Sequence, residues 1–247
     1  MTMEHIYFAC IWALAGFVNG ISGMGAALMA VPFMTLFMDI QLIVPLSCLL
    51  VTVLSSTLAI KYHAEFHIKI ILPALLCAVP GAFLGTQVLK IFSSHVLESI
   101  MAVVLIGYVI WNFIQKYEPK EERNNAVLGG LSGFFSGFFG STISFTGPPL
   151  AMYILYTGWK QQKALGALGA ALIIITGTSC LSHYFAGLYT KEFLRYLSVG
   201  VPAGGLGMLL SFPFLKYITQ KTFRKILLLV IGFAGMMSLL RVVNYYF

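Results

Sequence analysis

Asn19, Ser22, Ser136, Ser141, Thr142 and Ser144 are neutral hydrogen-bonding side chains inside two glycine-rich breaks in otherwise apolar sequence. The first break reads Gly16-Phe17-Val18-Asn19-Gly20-Ile21-Ser22-Gly23-Met24-Gly25 and runs on to Pro32. The second reads Gly133-Phe134-Phe135-Ser136-Gly137-Phe138-Phe139-Gly140-Ser141-Thr142 and runs on to Pro148 and Pro149. Laid over each other, the breaks share Gly16/Gly133, Phe17/Phe134, Gly20/Gly137, Gly23/Gly140 and Pro32/Pro149, and Asn19 meets Ser136. Glycine lets backbone come close to a ligand. A helix that restarts after a break exposes free N–H groups and the positive end of its dipole. With uncharged donors added, this chemistry suits a small oxyanion. No Asp or Glu lies near either break, which argues against a carboxylate cation site.

The new helices are expected to start near Met24–Gly25 and Ser141–Thr142. The candidate binding residues are therefore Asn19, Gly20, Ser22, Gly23 and Gly25 in the first copy. In the second they are Ser136, Gly137, Gly140, Ser141 and Thr142. Gly16/Gly20, Gly133/Gly137 and Gly81/Gly85 also have the GxxxG spacing of close helix contacts in lipid. The polar cluster distinguishes the two breaks from plain packing motifs.

Only a membrane accommodates the elements that hold these breaks. The chain is 59% hydrophobic and 9% charged, against about 25% charged residues in a soluble domain. Its length leaves room for about six to eight spans and no soluble domain. The net charge of +7 comes from Lys and Arg in short loops, which reads as orientation signal and headgroup contact, not nucleic-acid binding. Cys10, Cys48, Cys77 and Cys180 lie in apolar runs with no CxxC, as small buried hydrophobes do. The first residues lack the Lys or Arg of a signal peptide, so the first apolar run reads as mature structure.

Two halves follow. Residues 1–117 hold a broken run (5–38) and apolar spans at 42–62, 68–91 and 96–116. A charged linker occupies 118–125. Residues 126–247 repeat the plan, with a broken run (126–159) and spans at 164–188, 193–216 and 223–246. The repeat extends beyond the breaks: Pro80-Gly81 through Gly85 matches Pro202 through Gly207, and Tyr62 and Ala64 match Tyr184 and Ala186.

Charge decides how the broken runs lie. If they span, the Lys and Arg divide almost evenly. If each returns to its own side, only Lys90, Lys191, Arg195 and Arg241 remain on one face, and the other eleven of the 15 Lys and Arg collect on the opposite one. The expected fold is thus an all-α membrane protein of two inverted four-element repeats. Each repeat is a re-entrant helical hairpin plus three transmembrane helices, with both termini outside. The tips are expected to be paired half-helices meeting near the midplane.

The first break, its partner and Pro80–Gly85 resemble the TauE/SafE family of sulfite exporters and related permeases, over nearly the whole chain. The resemblance implies a bacterial or organellar membrane transporter for sulfite, sulfoacetate or related sulfur-containing or organic anions.

Other polar residues have plainer readings. Lys61 and His183 match in the repeat and lie near span ends, where snorkelling to headgroups is expected; His183 is also able to titrate near neutral pH. His63, Glu65, His67 and Lys69 read as a solvated loop. Gln87 and Asn112 either bond a neighbouring helix or line a pathway. Thr52, Ser55, Ser56 and Thr57, with Thr176, Thr178 and Ser179, are suited to bonding their own helices.

The expected function is secondary transport of a small anion by alternating access in the bacterial inner membrane, with an anion channel of the same fold as the alternative. An enzyme is disfavoured: HExxH, GxSxG and metal-ligand spacings are absent, and no cofactor or metal is implied. The expected partners are the anionic substrate and lipid, without nucleic acid; a homo-oligomer is left open.

Overall fold

The computed structural model describes residues 3–61, 68–114, 124–159 and 161–216, with further helical residues between 228 and 240. The described residues are helical, joined by turns, with no strand. Hydrocarbon offers no partner to a free N–H or C=O, so apolar chain of this kind closes its hydrogen bonds within each helix.

The first half contains α1 (Met3–Ser22), α2 (Ala26–Met34), α3 (Ile40–Lys61), α4 (Ile68–Ile91) and α5 (Ser94–Ile114). The second contains α6 (Ala126–Ile143), α7 (Gly147–Thr157), α8 (Gln161–Phe185) and α9 (Lys191–Ser211), then a 3-10 turn at Phe212–Lys216. Among the described residues, seven helices are long and apolar enough to cross a membrane: α1, α3, α4, α5, α6, α8 and α9. The expected spans at 42–62, 68–91, 96–116, 164–188 and 193–216 fall on α3, α4, α5, α8 and α9. Most of 223–246 lies outside the described residues.

Local chemistry sets the ends. Asn125 accepts the N–H groups of Val127 and Leu128 and so caps α6; Thr190 accepts that of Phe193 and caps α9.

Each broken run forms a long helix, a turn and a short helix. α1 has 20 residues and α6 has 18, about 30 and 27 Å at 1.5 Å per residue. The arms after the breaks have only 9 and 11 residues. The expected paired half-helices are therefore unequal arms. The short arms come back beside the long ones. Tyr7, near the start of α1, has its ring 6.5 Å from that of Phe37, just past α2. Ser132 donates to Pro149 O (2.8 Å), and Tyr153 donates to Asn124 Oδ1 (3.0 Å) at the foot of α6.

The second break also falls later than expected. Thr142 donates back to Phe138 O (2.7 Å), Ser141 has its hydroxyl on Ser179 (2.7 Å), and α6 continues through both residues. The chain turns only at Ser144, a left-handed residue with φ 60°. Pro148 and Pro149 then sit in the first turn of α7, where a missing N–H costs little.

Three helix pairs carry the packing: α1 on α9, α6 on α4 and α3 on α8. The first two are glycine seams. Gly16 and Gly20 face Gly204 and Ser211, and Gly207 faces the backbone of Ala13. Gly133 and Gly137 face Ala74 and Ala78, and Gly81 and Gly85 face Phe134 and Phe138. A methyl group at any of these positions overlaps a backbone or hydroxyl oxygen. These backbones touch because small residues let them.

Gly137→Leu is expected to destabilise the protein by about 3 kcal/mol or more, at the upper end of overpacking costs. Gly107→Ala and Gly177→Ala, where an added methyl meets nothing within 4 Å, are expected to be neutral or slightly stabilising. Thermal unfolding in detergent measures all three.

Candidate functional site

The two breaks converge. Met24 packs against Gly147, the first residue of α7, with its Cβ 3.2 Å from the position a Gly147 methyl would take. Beside this contact is a cavity of about 20 Å³ lined by both breaks and by α3 and α8. Asn19, Met24, Gly25, Ala27 and Leu28 come from the first broken run. Ser144, Thr146 and Gly147 come from the second. α3 adds Ser47, Cys48 and Val51, and α8 adds Leu172 and Thr176. A space of this size holds about one water-sized occupant. No Asp, Glu, Lys or Arg is in the lining.

The first break is built by its glycines. Gly23 (φ 76°) and Gly25 (φ 117°) take conformations that L side chains rarely adopt. Gly23 N–H returns to Asn19 O (2.8 Å), closing α1. Ser22 secures the turn: its hydroxyl donates to Val18 O (2.8 Å), lies against Met24 O and accepts Met24 N–H (3.2 Å). Gly25 is then the N-cap of α2 with no side-chain cap. The first N–H groups of α2 have no carbonyl partner within their helix, and Ala27 and Leu28 of that turn line the cavity. α7 is the poorer donor, because Pro148 and Pro149 remove two N–H groups from its first turn.

Asn19 is the unusual side chain. It is fully buried, it lines the cavity, and neither its Oδ1 nor its Nδ2 has a partner. The hydroxyls around the cavity are otherwise committed. Ser47 bonds Ser144, and Thr52 meets Thr176 at 2.7 Å while Thr176 donates to Leu172 O (2.6 Å). Cys48 Sγ donates to Gly140 O (3.5 Å).

Of the residues proposed from sequence, Asn19 and Gly25 line the cavity. Gly20 and Gly137 lie in the α1–α9 and α4–α6 seams. Gly23 and Ser22 shape the turn. Gly140 makes room for Thr146, whose hydroxyl would overlap any methyl there. Thr142 also donates to Gly85 O (3.1 Å), joining α6 to α4. Ser136 is buried with its hydroxyl unpartnered, yet it is not in the cavity lining.

His183 departs from expectation. It does not snorkel: it is fully buried, with Nε2 3.0 Å from Ser141 O. Gln87 is exposed, and Asn112 donates to Tyr108 O (2.9 Å) of its own helix. His63, Glu65 and His67, and the side chains of Lys61 and Lys69, lie outside the described residues. Sequence reasoning missed Ser47, Cys48 and Val51. The available signal was helical period, since Cys48 is one turn before Thr52 on the same face of α3.

Seven membrane-length helices among the described residues define a multi-pass membrane protein, and the two chain breaks meet at a small internal cavity with some polar side chains in its wall. The model of the sulfite exporter TauE/SafE family matches residues 8–238, so the chain belongs to that family of membrane transporters. Comparisons with curated proteins and with solved structures gave no match.

An unsatisfied buried amide costs stability. Asn19→Leu, measured without added anion, is expected to melt no lower than the wild type and to gain up to about 1 kcal/mol. Ser141→Ala, which removes the bond to Ser179, is expected to lose about 1 kcal/mol.

Proposed function

We propose that the protein is a secondary transporter of a small anion, sulfite or another sulfur-containing or organic anion, working by alternating access. The observation that carries this reading is the unpartnered Asn19 amide in a cavity shared by both breaks. In a folded protein, an orphaned buried amide calls for an explanation, and a bound solute supplies one. The Nδ2 hydrogens of Asn19 and the first N–H groups of α2 donate to the anion. Thr146 adds a neutral hydroxyl to the wall; Ser47, Ser144 and Thr176, whose hydroxyl hydrogens are held by protein partners, shape it, and Gly25 keeps the backbone close. The helix dipole of α2 adds up to about 2 kcal/mol for a buried charge.

The cavity is too narrow for a three-oxygen anion, and among its lining residues nothing marks an open pore. A carrier must widen this space as it cycles, which supports alternating access over a fixed pore. The broken runs are re-entrant hairpins, each returning to the side it entered from; the return contacts of Phe37 and Tyr153 support this. Residues 1–117 and 126–247 act as inverted repeats, and the units that rock about the α3–α8 contact are the glycine-sealed pairs α1–α9 and α4–α6, each holding one helix of either repeat, in a bacterial inner membrane.

The test is anion uptake into proteoliposomes, together with thermal stabilisation by sulfite, sulfate, methanesulfonate and sulfoacetate. An anion at about 100 times its Kd is expected to stabilise the wild type by about 2.7 kcal/mol. Asn19→Ala is expected to lose both the stabilisation and the uptake. Wild-type protein that neither binds nor moves any of these anions would contradict the reading.

A further inference from the structure

The proposed transport leaves a buried imidazole unused. His183 is on α8, two turns beyond Thr176 of the cavity, and it is fully buried. Its Nε2 meets Ser141 O at 3.0 Å. A carbonyl only accepts, so Nε2 carries the hydrogen and Nδ1 keeps its lone pair in the neutral ring. That Nδ1 has no hydrogen-bond partner. The imidazole is therefore anchored by one nitrogen and left basic, dry and unpaired at the other.

Among the described residues of the helices packed on it, none is a counter-ion. α8 packs against α3, α4, α6 and α7. None of these five helices carries an Asp or Glu, and α6 carries no titratable side chain. The titratable groups on this side are the thiols of Cys48 and Cys180 and the Tyr189 hydroxyl. Cys48 donates to Gly140 O, Cys180 lies one turn before His183, and Tyr189 donates to Cys180 O (3.0 Å). On α4, Cys77 lies against Gly130 in the opposite half of α6, and Lys90 is exposed. Tyr153 of α7 is held at the foot of α6, with Tyr156 beyond it. Lys163 and Tyr184 of α8 point elsewhere: Lys163 lies over Trp159, and Tyr184 is exposed.

We infer that His183 is the proton-binding site of the carrier, and that it binds a proton together with the transported anion. Nδ1 takes a proton from hydronium of the bulk solvent, so an N–H bond forms as the hydronium O–H breaks and water is left, while Nε2–H stays on Ser141 O. The imidazolium has no carboxylate to pair with, so the charge it gains in a dry interior is balanced by the anion in the cavity. Ser141 is the link: it lies three residues before Ser144, which lines the cavity and turns the chain into the second break. Proton and anion then travel in the same direction, and net flux follows their combined gradients.

This inference rests on the transporter reading, and the test separates the two. Wild-type and His183→Gln proteins are reconstituted, and uptake of methanesulfonate and of sulfoacetate is followed with the membrane potential clamped to zero. Neither probe titrates near neutral pH. One proton per anion predicts about tenfold accumulation per unit of pH gradient. Gln reaches Ser141 O with its own N–H but carries no proton. His183→Gln is expected to lose the gradient-driven accumulation and to keep exchange of labelled for unlabelled anion at equal pH. Accumulation by His183→Gln equal to wild type overturns the inference; so does loss of exchange in a variant that melts normally. If the variant does not fold, the wild type decides. Adding either probe to the detergent-solubilised wild type in weak buffer is expected to draw protons from solution, and binding without proton uptake sinks the coupling alone. A wild type that moves no anion sinks transport and coupling together.

Discussion

Inside a bilayer a backbone polar group has no water to fall back on, and the structure depends on that constraint more than on any other. An unbroken helix meets it automatically. A chain that stops and restarts at Ser22–Gly25 and again at Ser144–Thr146 does not, so each break needs protein around it. The breaks meet this need partly through each other and partly through α3 and α8. Ser144 bonds Ser47, Gly140 O accepts from Cys48, and Met24 closes over Gly147. The polar cavity is what remains where this mutual satisfaction is incomplete, and Asn19 marks the gap.

The seams follow from the same constraint. Hydrophobic burial does not drive helices together in lipid, so contact must come from close packing. Gly16, Gly20 and Gly207 bring α1 onto α9; Gly81, Gly85, Gly133 and Gly137 bring α4 onto α6. Each seam joins the long arm of a broken run from one half to a helix of either its partner half (α1 on α9, α6 on α4), so the halves are interlocked through the arms that carry the breaks. The α3–α8 contact is chemically different. It carries Thr52, Thr176 and Cys180, whose hydroxyls and thiol meet across it where the seams have glycine against backbone.

Much of this was legible in the sequence, for identifiable reasons. The membrane class and the helix positions follow from apolar runs. The first break was placed correctly because Gly23 and Gly25 need left-handed backbone. The second was placed too early because Ser141 and Thr142 resemble a break by type. In the structure their hydroxyls bond Ser179, Phe138 and Gly85, and they extend the helix instead of ending it. Gly20 and Gly137 were read as ligand positions although GxxxG spacing already announced packing. Helical period groups Cys48 with Thr52 on one face of α3, but which face meets a cavity depends on how α3 packs against α1, α2, α5, α6, α8 and α9, and that is not local in sequence.

His183 shows why burial, more than residue type, separates function from decoration in such a chain. At a span end a histidine reads as a headgroup contact, because an exposed imidazole costs nothing there. The same side chain turned inward, with one nitrogen committed to Ser141 O and the other unpaired, carries a cost that α8 could have avoided with an apolar residue. Asn19 carries a cost of the same kind at the other end of the polar region. Of the buried side chains without a full set of partners, Asn19 offers hydrogen-bond donors to the cavity and His183, bonded to Ser141 O, offers a lone pair. An anion and a proton are the pair of solutes that would satisfy both at once, and neither alone leaves the interior electrically balanced.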